Sequence, residues 1–501
     1  MRTVFQLVIL ALLFAFSSSV VCAGWLKIET TNFEIYSEED EKLTQSLALE
    51  LERYRSFLIE TAGIEANGRP LKLRVYVAED PSSYRRLSDH KTSAGQFSNR
   101  RDGPAAILYH REKSWKYGQD SKQVLFHEYV HYLQYQGTPT PYPIWYQEGL
   151  AEYLSSVRSI KGGLQVGEVL LTRIPTLYAD DWYHVKKLLE ADIVPDRGAV
   201  FYGQSWLLTH MLYSSQKFRA GRSAFLNMLA KGTEPLEALR AVYKMEYATL
   251  DFALREYFKA RKYLAFKFPV GDPGFEIFPA KHLSKEAGEI LSLEVRVEYA
   301  RKDRTNKKLQ KMVRQARRKH GALETLDRME IQLHADQSNW DEAEALAFDR
   351  WGGKKHSELE PLSNALFGEV ILRNQMQLLK TEVIKKLDPE KVEKARQYLR
   401  SAAEVDQRNA RARFWLAGSF IDGDQKNYRA AEKNIMEAYA LYPQYRRIRY
   451  QYVHLLNAEG NYVAACNIAR PLYRTAYGEK ERKRLKEMIA GFNGGVEACP
   501  L

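Results

Sequence analysis

Apolar and polar residues alternate along WLKIETTNFEIYS (25–37), where Trp25, Ile28, Phe33 and Ile35 mark short strands. Helical spacing takes over in 38–63 and stops near Gly63. LKLRVYVAED (71–80) alternates again and reads as a strand. AGQFSNRRDGPAAILYH (94–110) reads as two short strands around a turn at Asp102-Gly103. QDSKQVLFHEYVHYLQYQG is a helix closed by Gly137, TPTPYP is a rigid break, and IWYQEGLAEYLSSV is a second helix. The predicted order is β-α-β-β-β followed by helices, with further helical patterns at 182–191, 198–214 and 222–262. FPVGDPGFEIFPAKH (268–282) holds three Pro and two Gly, so a linker is placed at 268–283.

From 284 to 495 the pattern is helical throughout. Asn427-Tyr428 opens one helix, and 34 residues on Asn461-Tyr462 opens another after a similar turn. SNWDEAEALAF carries the same idea at Asn339-Trp340, and VEKARQYLRSAAEV (392–405) has the pattern of a second helix of such a unit. This helix-turn-helix period resembles tetratricopeptide repeats, in which stacked pairs share a core and expose a binding face. An irregular helical bundle is the plainer alternative. The resemblance implies a surface for a substrate protein or an envelope partner; packing support for the first half is the other reading.

The chain has 501 residues, 45% of them hydrophobic and 28% charged, which excludes a fibre or a wholly disordered chain. A formal charge of +12 is modest for this length and does not imply nucleic acid. Much of the excess lies in RKDRTNKKLQKMVRQARRKH (301–320), which reads as the solvated face of one helix with Leu309, Met312, Val313 and Ala316 inside. Contact with an anionic envelope surface or an acidic protein is the alternative for this stretch. Arg2 is the only charge before Lys27, and the apolar run between them ends in Val21-Cys22-Ala23, the pattern of a cleaved export signal over 1–23. An uncleaved anchor would need about 20 apolar residues, more than this core offers. The expected compartment is therefore the periplasm, with no transmembrane segment after cleavage. Export leaves Cys466 and Cys499, either bridged in an oxidising compartment or free, with Cys466 buried.

The chemistry centres on His-Glu-Tyr-Val-His at 127–131. Residues four apart share a helical face, so His127 and His131 can reach one zinc ion while Glu128 reaches a water beside it. A third ligand is expected from the next helix, where Glu148 and Glu152 lie one turn apart and point the same way. Glu148 is assigned to the metal and Glu152 to the other N–H of an imidazole; the reverse remains open. Gly149 is expected to let this helix approach the helix bearing the two histidines.

HEYVH followed by PIWYQEGLAEY resembles the gluzincin metallopeptidases, whose third zinc ligand is a Glu in a W-x-x-E-G segment. It more closely resembles the peptidase-MA-like domains of exported bacterial proteins. The resemblance covers roughly 25–265 and implies an α+β, zincin-like domain over 24–267, with a small mixed sheet above the metal-bearing helices. It implies Zn2+ as cofactor, peptide or protein as substrate, and an edge strand that aligns the substrate, matched here to 105–110. It also implies a Tyr or His from a later helix beside the tetrahedral intermediate: Tyr202 first, His210 second, with His184 a weaker choice. His90 and His110 have no partner pattern. No G-x-M-E-N-type segment precedes the metal helix, so aminopeptidase specificity does not carry over. Three functions follow: an exported zinc peptidase with Glu128 as general base, a periplasmic scaffold with a vestigial metal site, and a zinc hydrolase of a non-peptide amide such as a cell-wall bond.

Overall fold

The computed structural model describes residues 24–64, 70–88, 95–109, 121–134, 136, 142–179, 181–270, 274–299, 306–421, 427–474, 476, 478–492 and 499. The segment 1–23, His90 and His110 lie outside the described residues. In chain order the first half runs β1 (Leu26–Glu29), β2 (Phe33–Ser37), α1 (Glu41–Glu60), β3 (Leu73–Ala78), α2 (Pro81–Leu87), β4 (Gly95–Arg100) and β5 (Gly103–Tyr109). There follow α3 (Ser121–Gln134), α4 (Ile144–Ser155), β6 (Arg158–Ile160), β7 (Gly163–Val166), α5 (Ile174–Tyr178), α6 (Val185–Leu189) and α7 (Gly198–Ser214). Helices α8 (Gln216–Ala230), α9 (Pro235–Tyr243) and α10 (Tyr247–Ala260) lead to β8 (Phe266–Pro269) and β9 (Lys281–His282).

Six strands form a mixed sheet in the order β4-β5-β3-β2-β1-β9. Strands β2, β3 and β5 are parallel, and β1, β4 and β9 run antiparallel to their neighbours. Parallel neighbours require a crossover, and α1 supplies the one between β2 and β3. Both faces of the sheet are covered. Val75, Val77, Ala106 and Leu108 pack into the core shared with α1 and α3. The alternate residues, among them Tyr76, Ile107 and Tyr109, pack with Leu87 of α2 and with Val295 and Tyr299 farther along the chain.

The strand expected at the edge, 105–110, is an interior one. β5 lies between β3 and β4 and is buried at every position, and the edge is β4. Gly103, at φ 129, lets the chain fold back so that the polar Gly95–Arg100 segment pairs antiparallel along β5. An unbroken apolar strand is the mark of burial on both faces, which an edge does not have. The Pro- and Gly-rich stretch 268–283 is tied into both sheets. β8 pairs with β7 in a three-stranded sheet, Ile277 bridges Thr30, and β9 pairs with β1.

The second half is a run of consecutive helices: α11 (Lys285–Tyr299), α12 (Asn306–His320), α13 (Glu324–Asp336), α14 (Trp340–Trp351), α15 (Pro361–Lys380) and α16 (Pro389–Val405). It continues with α17 (Ala410–Ile421), α18 (Tyr428–Leu441), α19 (Arg446–Ala458), α20 (Tyr462–Arg474) and α21 (Glu479–Ala490). From α13 to α20 the helices pack in successive pairs, and the first helix of each pair also packs on the first helix of the next. The recurring Asn-Tyr has a local cause: the Asn427 and Asn461 side chains accept from Ala430 and Ala464 N–H and cap their helices. Helix α12 buries Leu309 and Val313 and half-buries Met312 and Ala316; most of its cations face outward, while Arg317 turns in to pair with Asp327 of α13. Cys466 and Cys499 are joined in a buried disulfide that staples the chain's end to the last helices. Among the described residues no helix is long and apolar enough to cross a membrane.

Candidate metal centre

Helix α3 is held from below by buried Leu125, Phe126, Tyr129, Val130 and Leu133, which leaves its fourth-residue spacing to present His127 and His131 together. The two rings stand edge to face with centroids 4.9 Å apart. After the Pro-rich break, α4 begins at Ile144, with Pro143 at the N-cap, and buries Trp145 completely, which fixes how the next turn is presented. Glu148 Oε2 then lies 3.3 Å from His127 Nε2 and 3.2 Å from His131 Nε2. One donor atom from each of the three side chains falls within 4.8 Å of the other two. Tetrahedral zinc with bonds of about 2.0–2.1 Å separates neighbouring ligand atoms by about 3.3–3.4 Å. The carboxylate-to-imidazole spacings match that edge length, and two nitrogens with one oxygen are a donor set that suits zinc. The three side chains keep 14%, 19% and 16% exposure, so the cluster is largely but not wholly buried.

Burial would push the Glu148 carboxyl up, but the charge of His131 and hydrogen bonds from His127 and His131 hold it well below the usual carboxylate range. It is thus an anion ready to ligate. Glu152, one turn on, is 2% exposed and places Oε1 3.3 Å from His127 Nδ1. Glu148 therefore meets the Nε2 atoms of both rings, and Glu152 lies on the opposite, Nδ1 side of the His127 ring. On His131, Nδ1 lies 3.3 Å from Gln134 Oε1.

Nothing in the sequence marks Arg173, which completes this layer. It caps the short helix α5 and grips Glu152 with two prongs, Nε donating to Oε2 at 3.0 Å and Nη2 donating to Oε1. A carboxylate this buried needs such a partner, and that demand is the one signal that could have pointed to a cation. Removing Arg173 strands the Glu152 charge. Arg173→Met is expected to lower zinc affinity about tenfold to a hundredfold, measured by competition with a chelator. Arg173→Met with Glu152→Gln should recover stability in denaturant titration without recovering that affinity.

Tyr202, on α7, stands with its ring centroid 6.3 Å from that of His127, and the Arg173 guanidinium lies 5.2 Å from the same phenol ring. Burial, then the charges of Glu148, Glu128 and Glu152, push its hydroxyl up, so it stays a protonated donor. His210 is not available to the site. Its Nδ1 pairs with the Tyr257 hydroxyl at 2.7 Å and its Nε2 with the Gly167 carbonyl at 2.9 Å, inside the core. His184 is exposed, 3.6 Å from Asp251. Glu128 is half-buried on α3. Gly149 allows a close approach, but to α7 rather than to α3: a Cβ there would sit 2.3 Å from the Ser205 carbonyl oxygen and from Thr209 Oγ1. The chain packs α4 between the two helices, and only hydrogen fits on the α7 side.

No protein-family model matches the chain, and no curated protein matches it significantly.

Proposed function

We propose that the chain is an exported zinc-dependent peptidase, its first half a gluzincin-type domain and its second half a stack of tetratricopeptide-like repeats. The observation that carries this reading is the cluster of His127, His131 and Glu148, in which Glu148 Oε2 lies 3.3 Å and 3.2 Å from the two Nε2 atoms, the spacing expected between neighbouring ligands of one zinc ion. When bound there, zinc supplies Lewis acidity, polarising a scissile carbonyl and acidifying a water. Glu128 accepts the water's proton at a carboxylate oxygen and returns it to the leaving amine. Glu152, gripped by Arg173, stands 3.3 Å from His127 Nδ1, placed to orient that ring. Tyr202 donates its hydroxyl to the oxyanion that develops on the carbonyl. β4 has no strand partner on its outer side among the described residues, and an extended substrate pairs there. The N-terminal pattern and the Cys466–Cys499 bridge support export to the periplasm.

Purified protein lacking residues 1–23 is expected to hold one equivalent of zinc and to cleave peptides in a profiling library, with cleavage lost to a chelator and restored by zinc. Zinc-loaded protein that leaves every peptide intact but opens cell-wall fragments would move the substrate to another amide. Inertness towards both would leave a scaffold.

A further inference from the structure

The two halves of the chain meet on the elements that carry the site. Gln444, between α18 and α19, donates Nε2 to the Tyr132 carbonyl at 2.7 Å in a buried hydrogen bond. Tyr132 directly follows His131 near the end of α3. The last carbonyls of a helix have no partner within it, so burying one requires a donor from elsewhere, and here it comes from the helical half. The Tyr132 hydroxyl donates to the Leu71 carbonyl, and the Leu71 N–H donates to the Leu441 carbonyl at 2.9 Å, which closes a circuit between the halves. A second tie holds the tip of the β4–β5 turn. Arg101 pairs with Asp336 of α13 at 2.7 Å, and Asp102 pairs with Arg411 of α17 at 3.0 Å. Arg411 is 3% exposed and also binds Glu369 of α15 and Gln332 of α13. Three first helices of successive pairs thus close on the chain's own hairpin.

We infer that the helical half is a positioning part of the metal centre. Gln444 fixes the end of the helix that bears both imidazoles, and the Asp102–Arg411 pair fixes the edge strand β4. This rests on the proposed metal site. Gln444 touches no ligand of that site and acts through Tyr132.

The test uses the whole chain without residues 1–23 and Co2+ as the probe. Gln444→Leu removes the donor at similar volume. Its Co2+ dissociation constant is expected to rise about threefold to tenfold, a milder effect than losing a direct imidazole partner. In metal-free protein, hydrogen exchange over residues 121–134 should quicken. Asp102→Asn, which keeps the side-chain shape, should quicken exchange over 95–100. Leu485→Ala, in the core beside the disulfide, should lower Tm without either effect. Parental Co2+ affinity and exchange in Gln444→Leu would overturn the inference, as would Leu485→Ala reproducing both changes. Failure of the parent to bind Co2+ would sink the metal site itself, while the exchange contrast, read without metal, still decides whether the helices brace α3.

Discussion

A Glu128→Gln protein is expected to bind zinc with parental stoichiometry and to lose about two to four orders of magnitude in kcat, the usual contribution of a positioned general base. Gln matches Glu in size and keeps an oxygen acceptor, so the half-buried position on α3 tolerates it. Its amide cannot take up a proton near neutral pH, so only the proton-transfer role is removed. The ligand cluster is built from His127, His131 and Glu148, without Glu128, so metal binding has no reason to fall. KM should stay close to the parental value, because a group that acts only in the transition state leaves ground-state binding unchanged. Metal content by elemental analysis and steady-state kinetics on one cleaved peptide check both halves of the expectation. Parental turnover in the variant would mean that another base serves, and the mechanism proposed for Glu128 would fall. Parental zinc in a protein that never turned over would favour the scaffold function.

What the sequence made legible was what repeats at short range. The spacing of His127 and His131 fixes their common face once α3 is a helix, and Trp145 and the Pro-rich break before it mark the returning helix. Glu148 and Glu152 share a helical face, so periodicity could not separate them; what separates them is which nitrogen of His127 each one meets. Arg173 lies in an irregular stretch, and the choice of this cation from the 75 Lys and Arg in the chain is made by the path of the loop before α5. The edge strand was misplaced because hydrophobicity reports burial, and the edge is the less buried, more polar strand β4. Strand β9 is two residues long and its pairing with β1 spans most of the first half, so no local pattern signals it. Gln444 and Arg411 reach the first half from more than 300 residues away, and each reads locally as an ordinary repeat-helix residue.

Removing the Glu148 carboxylate is expected to cost far more metal affinity than removing that of Glu152, although the two lie one turn apart. Glu148 Oε2 is within 3.3 Å of both Nε2 atoms, so Glu148→Ala deletes one corner of the coordination polyhedron and leaves two imidazoles on one helix. Structural zinc sites with four protein ligands bind with roughly 10–16 kcal/mol, so one ligand's share is about 3 kcal/mol, or at least about a hundredfold in affinity. Glu152→Ala keeps every ligand atom and frees only the Nδ1 side of His127, for which the usual loss is about tenfold to a hundredfold. The two variants also diverge in stability. Glu152 is 2% exposed and gripped by Arg173, so its loss leaves a buried guanidinium unpaired and should cost about 3 kcal/mol or more in denaturant titration. Glu148 keeps 16% exposure against 2% for Glu152, so its absence should cost the fold less. Zinc titration and urea unfolding of the two single variants therefore give opposite rankings: Glu148→Ala worse for metal, Glu152→Ala worse for the fold. A protein in which Glu152→Ala lost zinc outright while Glu148→Ala retained it would reverse the assignment and move the third ligand one turn along α4.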